Sequence, residues 1–221
     1  MSGKVIRFYF DYISPNAYLA WTQLPALAER HGCLIESVPV LFAGLLEANR
    51  QLGPAEVPAK MRWMWKNTLR KAAAIGVPLN IPAFHPFNPL LALRVSSLAL
   101  DAKQRLGLID AFFGAVWVHG LQIAEPSVVE KVASEVGLDG GALIVRAQQP
   151  ECKAQLRNQT DQAIADGVFG VPTMAVGDEL FWGYDDMTFL QRFLDGTDPI
   201  DRARWEQSAL PRSSAVRSRT P

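Results

Sequence analysis

The sequence has no excess of charge of either sign, because 22 lysine and arginine residues balance 22 aspartate and glutamate residues. A chain without net charge has no global electrostatic field that would draw it to nucleic acid or to an anionic membrane. No run approaches the roughly 18 to 20 apolar residues of a transmembrane helix. The first residues also lack the long apolar stretch of a signal peptide. These absences predict a cytoplasmic protein that binds neither nucleic acid nor membrane.

Cysteine is scarce as well. Cys33 and Cys152 lie far apart and no CxxC is present, so the spacing indicates neither a zinc site nor a redox pair. We interpret both cysteines as small core or surface residues and expect no metal centre. The chain is nevertheless 221 residues long and 49% hydrophobic, which is enough to bury a sizeable core.

The N-terminal residues predict a strand, a helix and a second strand. Residues 4–12 are rich in β-branched and aromatic residues, residues 15–32 have apolar positions three apart, and residues 33–42 again favour a strand. Ser14 is a natural helix N-cap, and Pro15 a natural first helical residue. Pro25 predicts a kink or a break inside this helix.

The long middle of the chain is helical in composition and spacing, without the alternation of strands. After it, residues 171–183 predict a β-hairpin around a Gly-Asp turn, and residues 185–196 predict a closing helix. We therefore expect an α/β protein in which one mixed four-stranded sheet is interrupted by an all-helical insertion that shares its core. The predicted helices of the insertion span residues 58–76, 88–107, 108–120, 126–137 and 142–167.

Two short segments fit either a structural or a binding role. Ser14 could be an ordinary helix cap, or its hydroxyl could hold an anion where unpaired amides and the helix dipole favour negative charge. In "FGVPTM", residues 169–174, Pro172 could follow an ordinary trans peptide bond or a cis bond. A cis bond would turn the backbone of Val171 outward, toward a peptide-like ligand.

Taken together and in this order, these motifs resemble the thioredoxin superfamily, and within it the DsbA-like branch. They are most similar to the group that contains kappa-class glutathione transferases and 2-hydroxychromene-2-carboxylate isomerase. The resemblance covers residues 4 to about 194 and rests on "FYFDYISPNAYLA", "FGVPTM" and "LFWGYDD", with "GPAEVPAK" and "AFHPFNPLLALR" in the insertion. It implies a thioredoxin-like domain of residues 1–44 and 167–197, a helical insertion of residues 45–166, and a C-terminal tail of residues 198–221.

The resemblance implies a glutathione site. Ser14-Pro15-Asn16-Ala17 stands where DsbA-type oxidoreductases carry CxxC, so the thiol must come from glutathione, with Ser14 donating a hydrogen bond to its sulfur. Val171, before a cis Pro172, would pair with the cysteinyl backbone. The γ-glutamyl end would be held by Trp182, Gly183, Tyr184 and Asp185.

One position departs from the pattern of the relatives, which commonly have Asp-Arg where this chain has Asp185-Asp186. The change removes a positive charge that could pair with a carboxylate of the ligand. We expect weaker glutathione binding, or a substitute cation from the insertion: Lys60, Arg62 and Lys66 are the candidates. Asp185 and Asp186 could equally cap the helix that follows them.

The resemblance further implies an isomerase of aromatic catabolism that converts 2-hydroxychromene-2-carboxylate to trans-o-hydroxybenzylidenepyruvate by reversible addition of a thiolate. Such a substrate needs an apolar slot with a few polar anchors. Trp63, Trp65, Phe84 and Phe87 are aromatic candidates for that slot, although helix packing in the core is the more ordinary explanation for each tryptophan. His85, in a proline-flanked loop, is the best-placed histidine for proton transfer or for contact with a carboxylate. The candidate substrate-binding residues are Leu46, Glu56, Val57, His85 and Asn88.

Two other functions remain open at this point. A kappa-like glutathione transferase would use the same Ser14 but would leave glutathione bonded to an electrophile. A non-catalytic DsbA-like binding protein would have no glutathione affinity. The relatives also suggest a homodimer.

Overall fold

A computed structural model describes residues 4–208 of the chain. Its four strands form one sheet in the order β2-β1-β3-β4. β1 and β2 are parallel, whereas β1 pairs antiparallel with β3, and β3 with β4. The predicted mixed four-stranded sheet is therefore confirmed. The strands are β1 (Val5–Phe10), β2 (Leu34–Pro39), β3 (Thr173–Val176) and β4 (Glu179–Trp182).

Ten α-helices and one short 3-10 helix, at Pro54–Glu56, accompany the sheet within the described residues. Helices α2 to α8 all lie between β2 and β3, which agrees with the predicted helical interruption. The α-helices are α1 (Pro15–Arg30), α2 (Phe42–Ala48), α3 (Pro58–Ile75), α4 (Leu90–Ser97), α5 (Ala102–Trp117), α6 (Pro126–Glu135), α7 (Gly140–Ala147), α8 (Pro150–Ala165), α9 (Met187–Leu194) and α10 (Arg202–Gln207).

Three predicted helix boundaries in the insertion are wrong. We ran one helix from residue 88 to residue 107, whereas α4 ends at Ser97 and α5 begins at Ala102. We placed a break after Gly107, but Gly107 lies inside α5, where Asp101 caps the helix by accepting the N–H of Gln104 at 2.8 Å. Apolar burial along α5 outweighs the weak helix propensity of one glycine. We also ran one helix through Pro150, whereas the chain ends α7 and restarts α8 with this proline as its first residue.

Other differences lie at the edges of elements. β2 ends at Pro39 and α2 begins at Phe42, so the second strand is shorter than predicted and α2 was missed. Helix α1 continues from Pro15 to Arg30 through Pro25 without a break. Helix α10 lies in the predicted tail, and the rest of that tail, residues 209–221, is outside the described residues.

The sheet and the insertion share one hydrophobic core. Phe10, the last residue of β1, and Tyr12, two residues further on, contact Phe113 of α5 with ring centroids 5.7 and 4.9 Å apart. Trp117, also on α5, is fully buried and donates its indole N–H to the carbonyl of Tyr12 at 3.1 Å. This shared core, which we expected, fixes the insertion against the end of β1 and the start of α1. No helix within residues 4–208 has the length and apolar character needed to cross a membrane.

Candidate active site at the amino end of the first helix

Ser14 is the N-cap of α1 and lies beside β3. Its Oγ accepts the N–H of Ala17 at 3.2 Å and donates to the carbonyl oxygen of Val171 at 3.3 Å. The residue is only 8% exposed. The cap interpretation of Ser14 is therefore right, and the same hydroxyl also lies at hydrogen-bond distance from the Val171-Pro172 segment. A helix cap and a binding role are compatible here.

The Val171–Pro172 peptide bond is cis, which agrees with the hypothesis drawn from the resemblance. Within residues 4–208, the N–H of Val171 has no hydrogen-bond acceptor, while its carbonyl accepts from Ser14. The carbonyl of Pro172 accepts the N–H of Gly183 at 2.8 Å, which extends the pairing of β3 and β4 beyond the strands. An unpaired N–H next to Ser14 is a group that an extended peptide ligand would satisfy.

The segment after β4 lies next to this backbone. Gly183 turns the chain with φ of 81°, a conformation that glycine adopts without steric cost. The indole of Trp182 packs on Phe169, with ring centroids 5.1 Å apart, and its Nε1 would lie 2.5 Å from a Cβ added at Gly170. Glycine at position 170 is therefore needed for the indole to lie against this backbone.

Asp186 explains part of the departure from the Asp-Arg pattern. Its Oδ2 accepts the N–H of Trp182 at 2.9 Å and so closes the turn between β4 and α9. Asp186 occupies the cap position of α9 but makes no capping hydrogen bond with its side chain. The capping interpretation of Asp185 and Asp186 is therefore wrong for the side chains. Asp185 instead extends into solvent, with its side chain 74% exposed.

Lys71 of α3 is the cation that reaches this segment, and the sequence interpretation missed it. Its Nζ lies 2.7 Å from Oδ2 of Asp185, 3.3 Å from Oδ1 of Asn16 and 5.6 Å from the centre of the Tyr184 ring. The three predicted substitutes, Lys60, Arg62 and Lys66, are exposed on the same helix. Lys71 follows the buried Met64 and Thr68 at helical spacing, which was the available signal that it lies toward the protein.

His85 contacts the residue that precedes Ser14. Its Nε2 is 2.9 Å from the carbonyl oxygen of Ile13, so Nε2 carries the proton and Nδ1 is an acceptor. Nδ1 is buried and has no hydrogen-bond partner among the described residues 4–208. Trp65 and Trp117 surround the ring, with centroids 4.9 and 6.2 Å away. Burial lowers the pKa of His85, and the hydrogen bond to Ile13 opposes this effect.

The other predicted substrate-binding residues have structural contacts. Oε2 of Glu56 accepts the N–H of Gly53 at 2.6 Å, and Oδ1 of Asn88 accepts the N–H of Leu90 at 3.0 Å. These hydrogen bonds close the turns before α3 and α4. Leu46, on α2, packs beside Gly53, and Val57 is the N-cap residue of α3. The structure thus gathers Leu46, Glu56 and Val57 around the α2–α3 connection. Among the predicted substrate residues, His85 is the one that bonds to the Ser14 turn.

The predicted aromatic residues divide by exposure. Trp63 is 60% exposed and Phe84 is 63% exposed, so core packing does not explain either side chain. Trp65 and Phe87 are half-buried and pack around His85 instead. The insertion therefore presents both exposed and packed aromatic surface near the loop that carries His85.

Asp11, which the sequence interpretation also missed, supports the Ser14 turn from inside. It is 2% exposed, and its carboxylate accepts the N–H groups of Ile13 at 3.1 Å and Phe42 at 3.0 Å. Its backbone carbonyl accepts the N–H of Ser14 at 3.1 Å. Burial raises the pKa of Asp11 to about 7, although both backbone hydrogen bonds act in the opposite direction. Asp11 therefore joins the turn that carries Ser14 to the start of α2.

Two surface clefts lie away from this cluster. One, of about 300 Å³, contains the paired side chains of Arg7 and Asp166, whose nearest atoms are 3.3 Å apart. The other, of about 400 Å³, lies between α2 and α8. Neither is lined by Ser14, Val171 or His85. The candidate site is therefore identified by the polar groups that come together around Ser14, and not by the size of a cavity.

Comparison with known proteins identifies the family. The family model of the DSBA-like thioredoxin domain matches residues 5–195. The chain belongs to this family. A 2-hydroxychromene-2-carboxylate isomerase of Sphingobium xenophagum is 35% identical, over 86% of this chain and 98% of the relative. A glutathione S-transferase kappa 2 of Caenorhabditis elegans is 28% identical, over 79% of this chain and 82% of the relative.

Solved structures agree with this assignment. The structure of a 2-hydroxychromene-2-carboxylate isomerase superposes with a TM-score of 0.82 at 28% identity, and covers 93% of this chain and all of that one. The resemblance inferred from the sequence motifs is therefore confirmed at the level of family and fold.

Proposed function

We propose that this protein is a glutathione-dependent 2-hydroxychromene-2-carboxylate isomerase, which forms trans-o-hydroxybenzylidenepyruvate. The observation that carries the proposal is the Ser14 hydroxyl, at the amino end of α1 and 3.3 Å from the carbonyl of Val171. The chain that carries this serine matches 98% of the length of a relative named 2-hydroxychromene-2-carboxylate isomerase. The substrate is then a small aromatic molecule with a carboxylate.

The residues present fit glutathione. The unpaired N–H of Val171 suits the backbone of the cysteinyl residue, and the exposed carboxylate of Asp185 suits an ammonium. Glutathione supplies a thiolate that adds reversibly to the conjugated double bond and so permits rotation about it. Because Cys33 contacts His31 after α1 and Cys152 contacts Arg94 of α4, neither cysteine lies in this site, and the protein's part is to bind, orient and polarise.

Ser14 holds the sulfur in its anionic form. In bound glutathione the sulfur would accept the Ser14 hydroxyl in place of the carbonyl of Val171, and Oγ would still accept the N–H of Ala17. The amino end of α1 adds the positive end of the helix dipole. Hydrogen bonding and a positive potential both lower the pKa of a thiol.

His85 orients the substrate or moves a proton. Its ring is fixed by the Nε2 hydrogen bond to Ile13, next in sequence to Ser14, and its Nδ1 is an acceptor with no partner in the described part of the chain. The aromatic residues around it exclude water and offer an apolar surface to an aromatic substrate. Leu46, Glu56, Val57 and Asn88 remain proposed substrate contacts.

The test is to incubate the protein with glutathione and 2-hydroxychromene-2-carboxylate and to measure both the isomer and the free thiol. We expect isomer to form without net loss of thiol. Ser14→Ala should lower kcat/KM at least about 100-fold, in the range of removing a donor that stabilises a developing anion. Ser134→Ala, at an exposed serine of α6, is the control and should behave like the wild type. Isomerisation at the wild-type rate by Ser14→Ala would refute the role of Ser14.

The kappa transferases among the relatives support a second candidate. A transferase would consume thiol and accumulate a glutathione conjugate in the same assay. If the protein neither reacts nor shows a thermal shift with millimolar glutathione, both enzyme functions fail and a binding protein remains. The proposal also includes a cytoplasmic homodimer, and light scattering of the purified protein measures its assembly.

A further inference from the structure

The ion pair between Lys71 and Asp185 joins the helical insertion to the proposed glutathione site. Lys71 lies on α3, and Asp185 lies between β4 and α9, 114 residues away in sequence. The lysine side chain is only 14% exposed, whereas that of the aspartate is 74% exposed. A largely covered but not fully buried cation therefore stands beside an accessible anion.

The ammonium of Lys71 has one donor left over. Of its three N–H groups, one bonds to Asp185 at 2.7 Å and one to Asn16 at 3.3 Å. No third acceptor lies within hydrogen-bond distance among residues 4–208, since the remaining contact is with the face of the Tyr184 ring. The cation is thus held in place by three partners and can still donate to an incoming anion.

A neighbouring cation and anion are complementary to a zwitterion. We propose that Lys71 and Asp185 together bind the α-amino acid end of the γ-glutamyl residue, with its carboxylate on Lys71 and its ammonium on Asp185. This inference rests on the proposed function, because it identifies how the same site would select a γ-glutamyl thiol. Lys71 then supplies the positive charge that an arginine at position 186 would otherwise provide.

Asp186 cannot bind the α-carboxylate of the γ-glutamyl residue. Its carboxylate is already bonded to the N–H of Trp182, and its charge has the wrong sign for a second carboxylate. Lys71 is also preorganised, because Asn16 and the Tyr184 ring hold its long side chain before any ligand arrives. A side chain that is ordered in advance loses little entropy on binding.

A purely structural role for the ion pair makes a different prediction, so the test compares ligands as well as variants. The ligands are glutathione, 4-aminobutyryl-cysteinyl-glycine, which lacks the α-carboxylate, and glutaryl-cysteinyl-glycine, which lacks the α-amino group. Titration calorimetry measures the Kd of each for the wild type, Lys71→Met, Asp185→Asn and the control Lys66→Met. Lys66 is an exposed lysine of the same helix.

We expect Lys71→Met to raise the Kd of glutathione about 10- to 100-fold, as for loss of a hydrogen bond to a charged group. The same variant should leave the Kd of 4-aminobutyryl-cysteinyl-glycine unchanged. Asp185→Asn should weaken glutathione but spare glutaryl-cysteinyl-glycine, and Lys66→Met should alter none of the three.

An equal loss of affinity for all three ligands in Lys71→Met would show that the ion pair only supports the fold, and would overturn the inference. So would unchanged glutathione binding by that variant. If the wild type itself binds none of the three ligands, the proposed function fails first, and this inference fails with it.

Discussion

Replacing Asp11 by asparagine tests how the Ser14 turn is supported. The buried carboxylate accepts N–H groups from Ile13 and Phe42, and burial raises its pKa from 3.8 to about 7. Asparagine has nearly the same shape but does not titrate. The difference between wild type and Asp11→Asn across pH therefore isolates the ionisation of this one group.

The sign and the size follow from proton linkage. Between pH 3.8 and about pH 7 the folded chain keeps the Asp11 proton that the unfolded chain has lost, so the free energy of unfolding falls as pH rises. The two pKa values differ by about three units, and each unit corresponds to about 1.4 kcal/mol. Relative to Asp11→Asn, the wild type should lose about 4 kcal/mol between pH 4 and pH 8.

Asp11→Asn also lowers the free energy of unfolding by an amount that does not depend on pH. The amide nitrogen of asparagine cannot accept, so one of the two backbone N–H groups loses its partner, at about 1–3 kcal/mol. We therefore expect Asp11→Asn to be the less stable protein at pH 4. The gap should close or reverse by pH 8.

Urea unfolding followed by tryptophan fluorescence at pH 4, 5, 6, 7 and 8 measures this difference. Asp178→Asn, in the exposed turn between β3 and β4, controls for the loss of one carboxylate. Stability curves for wild type and Asp11→Asn that stay parallel over this range would refute the reasoning, because they would mean that Asp11 does not change its ionisation on folding.

Three further predictions concern single side chains. Gly170→Ala places a Cβ 2.5 Å from Nε1 of Trp182 and should lower the free energy of unfolding by about 1–3 kcal/mol. The control is Gly107→Ala, whose new Cβ meets open space inside α5, and this variant should be neutral or stabilising by up to about 1 kcal/mol. If urea unfolding gave Gly170→Ala and Gly107→Ala the same stability, the predicted steric clash between position 170 and Trp182 would be refuted. Burial lowers the pKa of His85, so the wild type should lose stability relative to His85→Gln as pH falls below 6.5, and a thermal melt series from pH 7 to 5 that shows no divergence would disprove it. Ser14→Ala removes a helix cap and should cost about 1 kcal/mol in chemical unfolding, whatever its effect on catalysis.

Several features of the fold were determined by short stretches of sequence. Ser14-Pro15 predicted where α1 begins, and the Gly-Asp turn predicted the hairpin of β3 and β4. These signals work because helix caps and tight turns depend on hydrogen bonds between residues a few positions apart. The wrong break at Gly107 and the missed break at Pro150 came from the same kind of local signal. There, packing of α5 outweighed one glycine, and a proline started a helix that we had continued.

The composition of the site was decided by tertiary structure. Ser14 meets Val171 across 157 residues, His85 reaches Ile13 across 72, and Lys71 reaches Asp185 across 114. The sequence alone supplied Ser14 and the Val171-Pro172 segment, but it pointed to Lys60, Arg62 and Lys66 for the missing charge. Which of several lysines on one helix meets an aspartate depends on how that helix packs against α1. That packing is set by the whole shared core, and no short stretch of sequence contains it.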